Sequence, residues 1–405
     1  MSDPASAPYL PLAKLIAPPG TASPTPALLS AALRTNLAPL LLWAIKQRAD
    51  PLDPALAAQL APLQAQARQV AARYVLLKTV RAHVNATLAA AGIPALWLKG
   101  AALAETVYPQ PVLRPMSDLD VLVPFERREE ALAALKAAGY ADETLNPLAA
   151  QVTAFLPPDE THHHYNLVGG PGGGVRVELH FRVARAILPD LAALDWFWSQ
   201  AVEATNRAGA PLGFLTLRPE AHLLYLCAHA LLQHGEAQTD LLHVYDLHLL
   251  ATVCDLDWAL IVERAAILRW TYPVERALTL AQEYFGTPLP AGVLEELRAR
   301  RPADEDTGIV QQIGAGDTRW AQTVRGLRRL TPRQRIALVW WIIFPPRAYL
   351  RTRYQVRPGV PLLLYYPYRW WDQARGIARG VRRWVSLRMK KDSLNRRGAE
   401  DTEKN

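Results

Sequence analysis

The spacing of apolar positions divides the chain into helical stretches on either side of one short mixed segment. Apolar residues recur every three to four positions over 27–92, which predicts helices ending at Gly92. Between 93 and 189, short apolar runs and strict alternation predict strands with short helices between them. Helical spacing returns from about 190 to 300. We therefore expect an α+β fold: a small mixed β-sheet core flanked by helices, with an additional α-helical domain.

The two ends of the chain differ from this body in composition. Residues 1–26 are rich in Pro, Ala and Ser and lack the basic start and apolar core of a signal peptide, so we expect a flexible arm. Residues 301–405 form a basic, aromatic tail. Within it, 325–397 holds nineteen Lys or Arg against two acidic residues, a net charge of +17. The whole chain carries +8, so the remainder carries −9.

The composition of the tail leaves three roles open. Its longest uninterrupted apolar run, "IALVWWIIF", has nine residues, fewer than the roughly 20 that span a bilayer as a helix. Basic and aromatic residues together suit a protein partner or the acidic body, an anionic membrane surface, or a nucleic-acid backbone. We favour the first two. The only cysteines, Cys227 and Cys254, suit a reducing compartment, so we expect a cytoplasmic protein. If the tail binds a membrane, we expect peripheral contact with the inner membrane face.

Acidic residues occur at one edge of the predicted core. Asp118 and Asp120 lie two apart in "DLDVLV" and share a face of that strand, with their side chains roughly 6–7 Å apart. A divalent cation relieves the repulsion between them, and hard oxygen ligands suit Mg²⁺. The stretch 162–183 predicts a β-hairpin around a Gly/Pro cluster. Glu178, the only acid on its polar face, is a candidate third carboxylate that would allow two metals.

The turn before this strand predicts an anion site. Lys99 and Gly100 stand where the strand "ALWL" meets the helix "AALAETVY", and free amides at a helix N-terminus bind phosphate. Arg114 adds a second positive charge, and Ser117 and His180 are further candidate phosphate contacts.

Each of these residues also has a structural interpretation. The aspartate pair is then an acidic strand end that binds nothing, and Lys99 is a solvated lysine. Glu178 pairs with a neighbouring arginine of the hairpin. Arg114 ties down its own loop.

The run His162–His164 raises the question of zinc. Strand alternation puts His162 and His164 on one face and His163 on the other, which argues against one ion held by all three. His164 or His180 would instead orient Glu178 or contact phosphate. A zinc hydrolase stays open as an alternative. Asp246, one helical turn from His243, is interpreted as a structural residue of the helical region.

The stretch "LKGAALAETVYPQPVLRPMSDLDVLV", followed by "VELHF", resembles an uncharacterised bacterial branch of the nucleotidyltransferases whose core is shared with DNA polymerase beta. The resemblance runs from about Leu96 to Glu283. It implies transfer of a nucleoside monophosphate from ATP or another nucleoside triphosphate to a hydroxyl, using Mg²⁺ or Mn²⁺.

The resemblance also implies residue roles. Asp118, Asp120 and Glu178 become metal ligands and catalytic residues, and Lys99 and Gly100 the phosphate turn. The family's usual turn is Gly-Ser, whereas this chain reads Lys-Gly-Ala-Ala and lacks the hydroxyl. The acceptor, a small molecule, sugar, polypeptide or nucleic-acid end, stays open. The alternative is a catalytically degenerate binding protein that acts through its basic tail at a partner or membrane surface.

Overall fold

The computed structural model describes most of the chain, which divides into two compact units. One unit comprises 1–145 and 159–326, and the other comprises 146–158 and 327–405. The described residues are 9–16, 24–48, 53–143, 163–183, 191–234, 240–303 and 305, with 336, 340, 343–345, 347, 350–351, 361–371 and 375 of the tail.

A seven-stranded sheet forms the centre of the first unit. Its spatial order is β3-β4-β5-β2-β1-β7-β6. The strands are β1 Leu96–Trp97, β2 Asp118–Leu122, β3 Tyr140–Asp142, β4 His164–Gly169, β5 Arg176–His180, β6 Ala201–Thr205 and β7 Pro211–Leu217. The pairs β2–β5 and β1–β7 are parallel and the other pairs are antiparallel, so the sheet is mixed, as predicted.

Helices surround the sheet and continue past it. They are α1 Tyr9–Ile16, α2 Pro26–Arg34, α3 Ala38–Lys46, α4 Pro54–Ala57, α5 Ala61–Ala90, α6 Lys99–Thr106, α7 Arg128–Ala137, α8 Leu191–Ser199, α9 Pro219–Ala228, α10 Leu241–Val253, α11 Trp258–Ile267, α12 Thr271–Phe285 and α13 Val293–Ala299. A π-helical segment, His229–His234, extends α9. The α+β class predicted from the sequence is confirmed.

Two hydrophobic clusters form the core of this unit. In one, Val80 and Val84 of α5 pack with Leu119, Val121 and Val177 of the sheet. Because side chains alternate across a strand, this packing leaves the polar residues of β2 and β5 on the opposite face. The second cluster joins the N-terminal helices to α9, α10, α11 and α12.

Two segments differ from the sequence-based expectation. The hairpin β6–β7 lies where helices were expected from about residue 190. Strand β7 is stabilised by its parallel pairing with β1, a contact that local periodicity does not report. Within the predicted flexible arm, α1 buries Leu12 and Ile16, because the apolar residues of "YLPLAKLI" fall on one helix face. The rest of 1–23 lies outside the described residues.

In the part of the chain that the structure describes, no helix combines the length and the apolar character needed to cross a bilayer.

Candidate active site

The register of β2 against β5 brings the predicted acids together on one face of the sheet. Asp118 lies opposite Arg176, and Asp120 lies opposite Glu178. Residues two apart in a strand share a face, so all four side chains leave the face that α5 does not cover. Asp120 is 3% exposed, and Glu178 is half-buried. Carboxylates separated by about 60 residues in sequence are therefore neighbours in the sheet.

Lys99 closes one side of this group. Its ammonium nitrogen lies 2.6 Å from Asp120 Oδ1, and the residue is 8% exposed. Lys99 begins α6 with φ of +46°, a left-handed conformation that costs a non-glycine residue on the order of 1 kcal/mol. Its backbone N–H donates to Nε2 of His222 on α9, at 3.1 Å. The helical half of the unit thus holds the strained turn in place.

His180 hydrogen-bonds to the acids from within the sheet. Its Nε2 lies 3.0 Å from Asp120 Oδ1 and 3.3 Å from Glu178 Oε2. Burial alone would lower the pKa of His180, but these carboxylates raise it above its usual value. His164 Nδ1 lies 3.9 Å from Glu178 Oε2, and burial together with the charge of His180 lowers the pKa of His164 to about 3. His164 is therefore neutral at pH 7.

The two aspartates have opposite electrostatic environments. Burial would raise the pKa of Asp120, but the ammonium of Lys99 and the hydrogen bond from His180 lower it well below its usual range. Burial raises the pKa of Asp118, and repulsion from Asp120 adds to the effect, while Lys99 and a hydrogen bond from Ser117 act against it. Negative charge at Asp118 is thus only partly compensated within the protein.

Burial would also raise the pKa of Glu178, but hydrogen bonding to His180 lowers it. Glu178 is therefore ionised at pH 7 and can accept a proton.

Gly100 lies against Arg114. A Cβ at residue 100 would come within 2.8 Å of Arg114 Cζ and of Met116 Cγ. Gly100 is therefore required because the guanidinium passes directly beside the backbone of the turn.

Arg114 makes its strongest contacts with Asp246 of α10. Nη2 and Nε of the arginine lie 2.7 and 3.2 Å from the two carboxylate oxygens. Tyr108 donates a 2.6 Å hydrogen bond to the same carboxylate, which is fully buried. Arg114, predicted as a phosphate contact, is 6% exposed and joins its loop to the helical half. Asp246 has a structural role, as interpreted from the sequence, but its partners are Arg114 and Tyr108, while His243 contacts Asp240.

Ser117 lies at the edge of the site. Its carbonyl oxygen accepts a 2.8 Å hydrogen bond from Nη2 of Arg73 on α5. This bond fixes the position of the start of β2 relative to α5.

Two groups of side chains in the described part of the chain have the spacing of metal ligands. Ligand atoms of Asp120, Glu178 and His180 all lie within 4.8 Å of one another, as do those of His163, His164 and His180. Asp118 belongs to neither group. The assignment of His163 and His164 to opposite faces was wrong, because His163 precedes β4 and does not follow the strand pattern. The argument against one ion held by His162, His163 and His164 together stays a prediction. His162 lies outside the described residues.

Two neighbours of the site were not predicted from the sequence. His222 accepts the hydrogen bond from Lys99, and burial together with the charge of Arg114 lowers its pKa to about 3. Tyr225 is fully buried, and its hydroxyl has no hydrogen-bond partner among the described residues. Burial raises the pKa of Tyr225, and the charges of Asp120 and Glu178 raise it further. The two residues lie about one turn apart on α9, so they share a face, a pattern the sequence did contain.

Comparisons with known proteins identify the family of the chain. The model of a family described as uncharacterised nucleotidyltransferase matches residues 22–286. No curated protein and no solved structure matches the chain significantly. The matched range includes all seven strands, the Lys99–Gly100 turn and α9 to α12, and it covers well over half of the chain. The chain therefore belongs to the uncharacterised nucleotidyltransferase family.

Proposed function

We propose that the protein is a Mg²⁺- or Mn²⁺-dependent nucleotidyltransferase with a DNA polymerase beta-like core. It would move a nucleoside monophosphate from a nucleoside triphosphate to a hydroxyl of a small molecule, sugar or polypeptide. One observation carries the proposal: Asp120 lies opposite Glu178, with Asp118 on the same face and Lys99 in ion-pair contact.

The donor set fits a hard divalent cation. Asp120 and Glu178 offer carboxylate oxygens within 4.8 Å of each other, and Asp118 carries charge that the protein compensates only partly. When bound, the metal neutralises phosphate charge and polarises the bond to be broken.

The residues of the chain then have separable roles. Asp118 and Asp120 would hold the metal. Glu178, ionised at pH 7, takes the proton of the acceptor hydroxyl as that oxygen attacks the α-phosphorus in line, and pyrophosphate leaves. Lys99 and the turn amides next to Gly100 bind the triphosphate, and Lys99 replaces the hydroxyl that the family's usual turn provides.

Three further residues support the nucleotide. Ser117 and His180 lie beside the aspartates and contribute hydrogen bonds to it. Arg114 acts through the turn that it packs against.

Calorimetric titration of ATP, GTP, CTP and UTP with Mg²⁺ tests the proposal. We expect the wild-type chain to bind at least one of them, and the Asp118→Ala/Asp120→Ala double variant to lose that binding. Asp142→Ala, which removes an exposed acid from β3 of the same sheet, is the matched control and should bind as the wild type does. Absence of nucleotide binding to the wild type would overturn the transferase.

A second function is favoured by the described residues of the tail. Trp340, Leu363 and Trp371 are 64%, 77% and 53% exposed, and Arg375 lies over the Trp371 ring at 4.3 Å. Exposed aromatics beside cations suit an anionic membrane surface or a protein partner, so the chain would act as a binding protein with a degenerate core, at the cytoplasmic face of the membrane.

Co-sedimentation with anionic and neutral vesicles tests this second function. We expect the wild-type protein to bind the anionic vesicles. The Trp340→Ser/Trp371→Ser variant should bind them more weakly. Equal recovery of both proteins in the supernatant would exclude membrane binding through these tryptophans.

A further inference from the structure

Three histidine rings meet beside the carboxylates, on the outer side of β5. His164 lies directly opposite His180 in the antiparallel pair of β4 and β5, so both rings leave the same face. The carbonyl oxygen of His163 accepts the backbone N–H groups of Phe181 and Arg182, at 3.0 and 3.3 Å. These bonds turn the chain at the start of β4. The ring centroids of the three histidines are consequently 4.1, 5.4 and 4.8 Å apart.

The ring nitrogens have the spacing of metal ligands. One nitrogen from each ring lies within 4.8 Å of the others, and His163 Nε2 is 2.9 Å from His164 Nδ1. Imidazole nitrogens bind zinc at about 2.0–2.1 Å, which places neighbouring ligands roughly 3.3 Å apart in a tetrahedral site. A bound ion would require the side chains to adjust to that spacing.

His180 supplies a second, independent observation. Its Nε2 hydrogen-bonds to Asp120, which leaves Nδ1 with the lone pair when the ring is neutral. That Nδ1 is buried, in a residue with no exposed surface, and has no hydrogen-bond partner among the described residues. A carboxylate that holds one nitrogen of an imidazole while the other nitrogen binds the ion is the usual outer contact of a metal-bound histidine.

We propose that His163, His164 and His180 bind a transition-metal ion of the zinc class, at a site that adjoins the one that the acids form for magnesium. Imidazole nitrogen favours zinc and its neighbours over magnesium, whereas carboxylate oxygen suits magnesium. Three histidines leave one ligand position open. Glu178, whose Oε2 lies 3.9 Å from His164 Nδ1, is one candidate to fill it, and water is the other.

The site has a route for the ion to enter. His163 and His180 are buried, but the side chain of His164 is 18% exposed, so the cluster opens to solvent on that side. The proposal does not rest on transferase activity, because none of its observations involves the phosphate turn.

Metal titration of the untagged full chain, freed of metal with a chelator and without nucleotide, tests the site. We expect one Zn²⁺ per chain. Affinity should fall at least ~10-fold in His163→Ala and in His164→Ala. Co²⁺ should give the intense visible absorption of a four-coordinate, nitrogen-rich site. His83→Ala is the matched control, because His83 lies on α5, behind the opposite face of the sheet, where it contacts Tyr140.

Three results would overturn the proposal: Zn²⁺ affinity unchanged in both cluster variants, affinity lowered equally in His83→Ala, or a weak six-coordinate Co²⁺ spectrum. Circular dichroism of the metal-free variants checks their folding. If an alanine variant does not fold, the corresponding glutamine variant, His163→Gln or His164→Gln, is used instead. Glutamine keeps a polar side chain but lacks the imidazole. Mg²⁺-nucleotide binding by His163→Ala should stay within about twofold of wild type, so failure of this site and failure of the transferase are distinguishable.

Discussion

Asp120 and Glu178 occupy directly opposed positions of two parallel strands, and Nε2 of His180 lies within 3.3 Å of both carboxylates. The pairing is built into the backbone of the sheet, so the distance between these acids does not depend on a loop. A rigid pair of carboxylates is suited to hold a cation at a constant position.

Glu178→Gln tests the metal role of this pair. Replacing one carboxylate oxygen by an amide removes a charge and a hard ligand while keeping the shape, so Mn²⁺ affinity in the presence of nucleotide should fall about 10- to 100-fold. Electron paramagnetic resonance of free Mn²⁺ measures it. Glu203→Gln, the same change at an exposed position of β6, should have no effect. Equal Mn²⁺ affinity in the two variants would refute the role of Glu178.

Lys99→Met leaves Asp120 buried without its cation. Breaking a buried pair costs about 3–5 kcal/mol, so we expect a loss of that order in the free energy of unfolding at pH 7. The folded-state pKa of Asp120 lies below its unfolded value, so its contribution is present above about pH 4 and is lost as pH falls. The deficit of the variant should therefore stay constant between pH 7 and pH 4 and narrow as the pH falls below 4.

Urea denaturation from pH 7 to below pH 4 measures the deficit of Lys99→Met. Lys136→Met, which removes a partner of the exposed pair with Asp142, should change stability by less than about 1 kcal/mol at every pH. A Lys99→Met deficit that does not depend on pH would contradict the assignment of the loss to Asp120.

Asp118→Asn should stabilise the protein and impair its function. The folded-state pKa of Asp118 is raised, so the carboxyl favours folding only while it is protonated, and it disfavours folding once it ionises at neutral pH. Removing the charge should raise the free energy of unfolding by about 1 kcal/mol at pH 7, with no gain below pH 4. Mg²⁺-nucleotide affinity should fall in the same variant. A destabilised Asp118→Asn at pH 7 would show that its hydrogen bonding outweighs the repulsion.

The pair of Arg114 and Asp246 predicts strong coupling between sheet and helices. Asp246→Leu leaves a buried guanidinium, and Arg114→Met a buried carboxylate, so each should cost about 3–5 kcal/mol. The double variant should cost much less than the sum, because neither charge remains. Thermal denaturation of all four proteins gives the coupling energy. Additive losses would mean that the two side chains act independently.

Gly100→Ala tests the close approach of Arg114. The added methyl group would overlap the guanidinium, so we expect a loss of about 1–3 kcal/mol together with weaker nucleotide binding. Gly174→Ala introduces the same atom where nothing lies within 4 Å, and should change stability by less than about 0.5 kcal/mol. Equal stability of the two variants would show that Arg114 moves aside at no cost.

Local patterns in the chain were sufficient for much of the fold and for the acids. Alternation in "RVELHF" correctly assigned Glu178 and His180 to the polar face of β5, and the i, i+2 spacing put Asp118 and Asp120 together. Period-two and period-3.6 patterns are local properties, so a single sequence reports them directly. The class of the fold followed from the same patterns.

Other features depend on contacts between distant segments. The pairing of β7 with β1, the approach of His222 to Lys99 and the burial of Arg114 against Asp246 each join residues more than 100 positions apart. His163 turns toward His180 because its carbonyl oxygen bonds to the backbone after β5, outside any strand pattern.

The residue types along the chain thus specified which chemical groups stand on which face of each strand and helix, because that depends only on backbone periodicity. Which groups meet, how far their pKa values shift, and where the protein keeps a strained turn or an unpaired nitrogen were settled by packing. Those properties arise from burial and from neighbours that folding alone brings together.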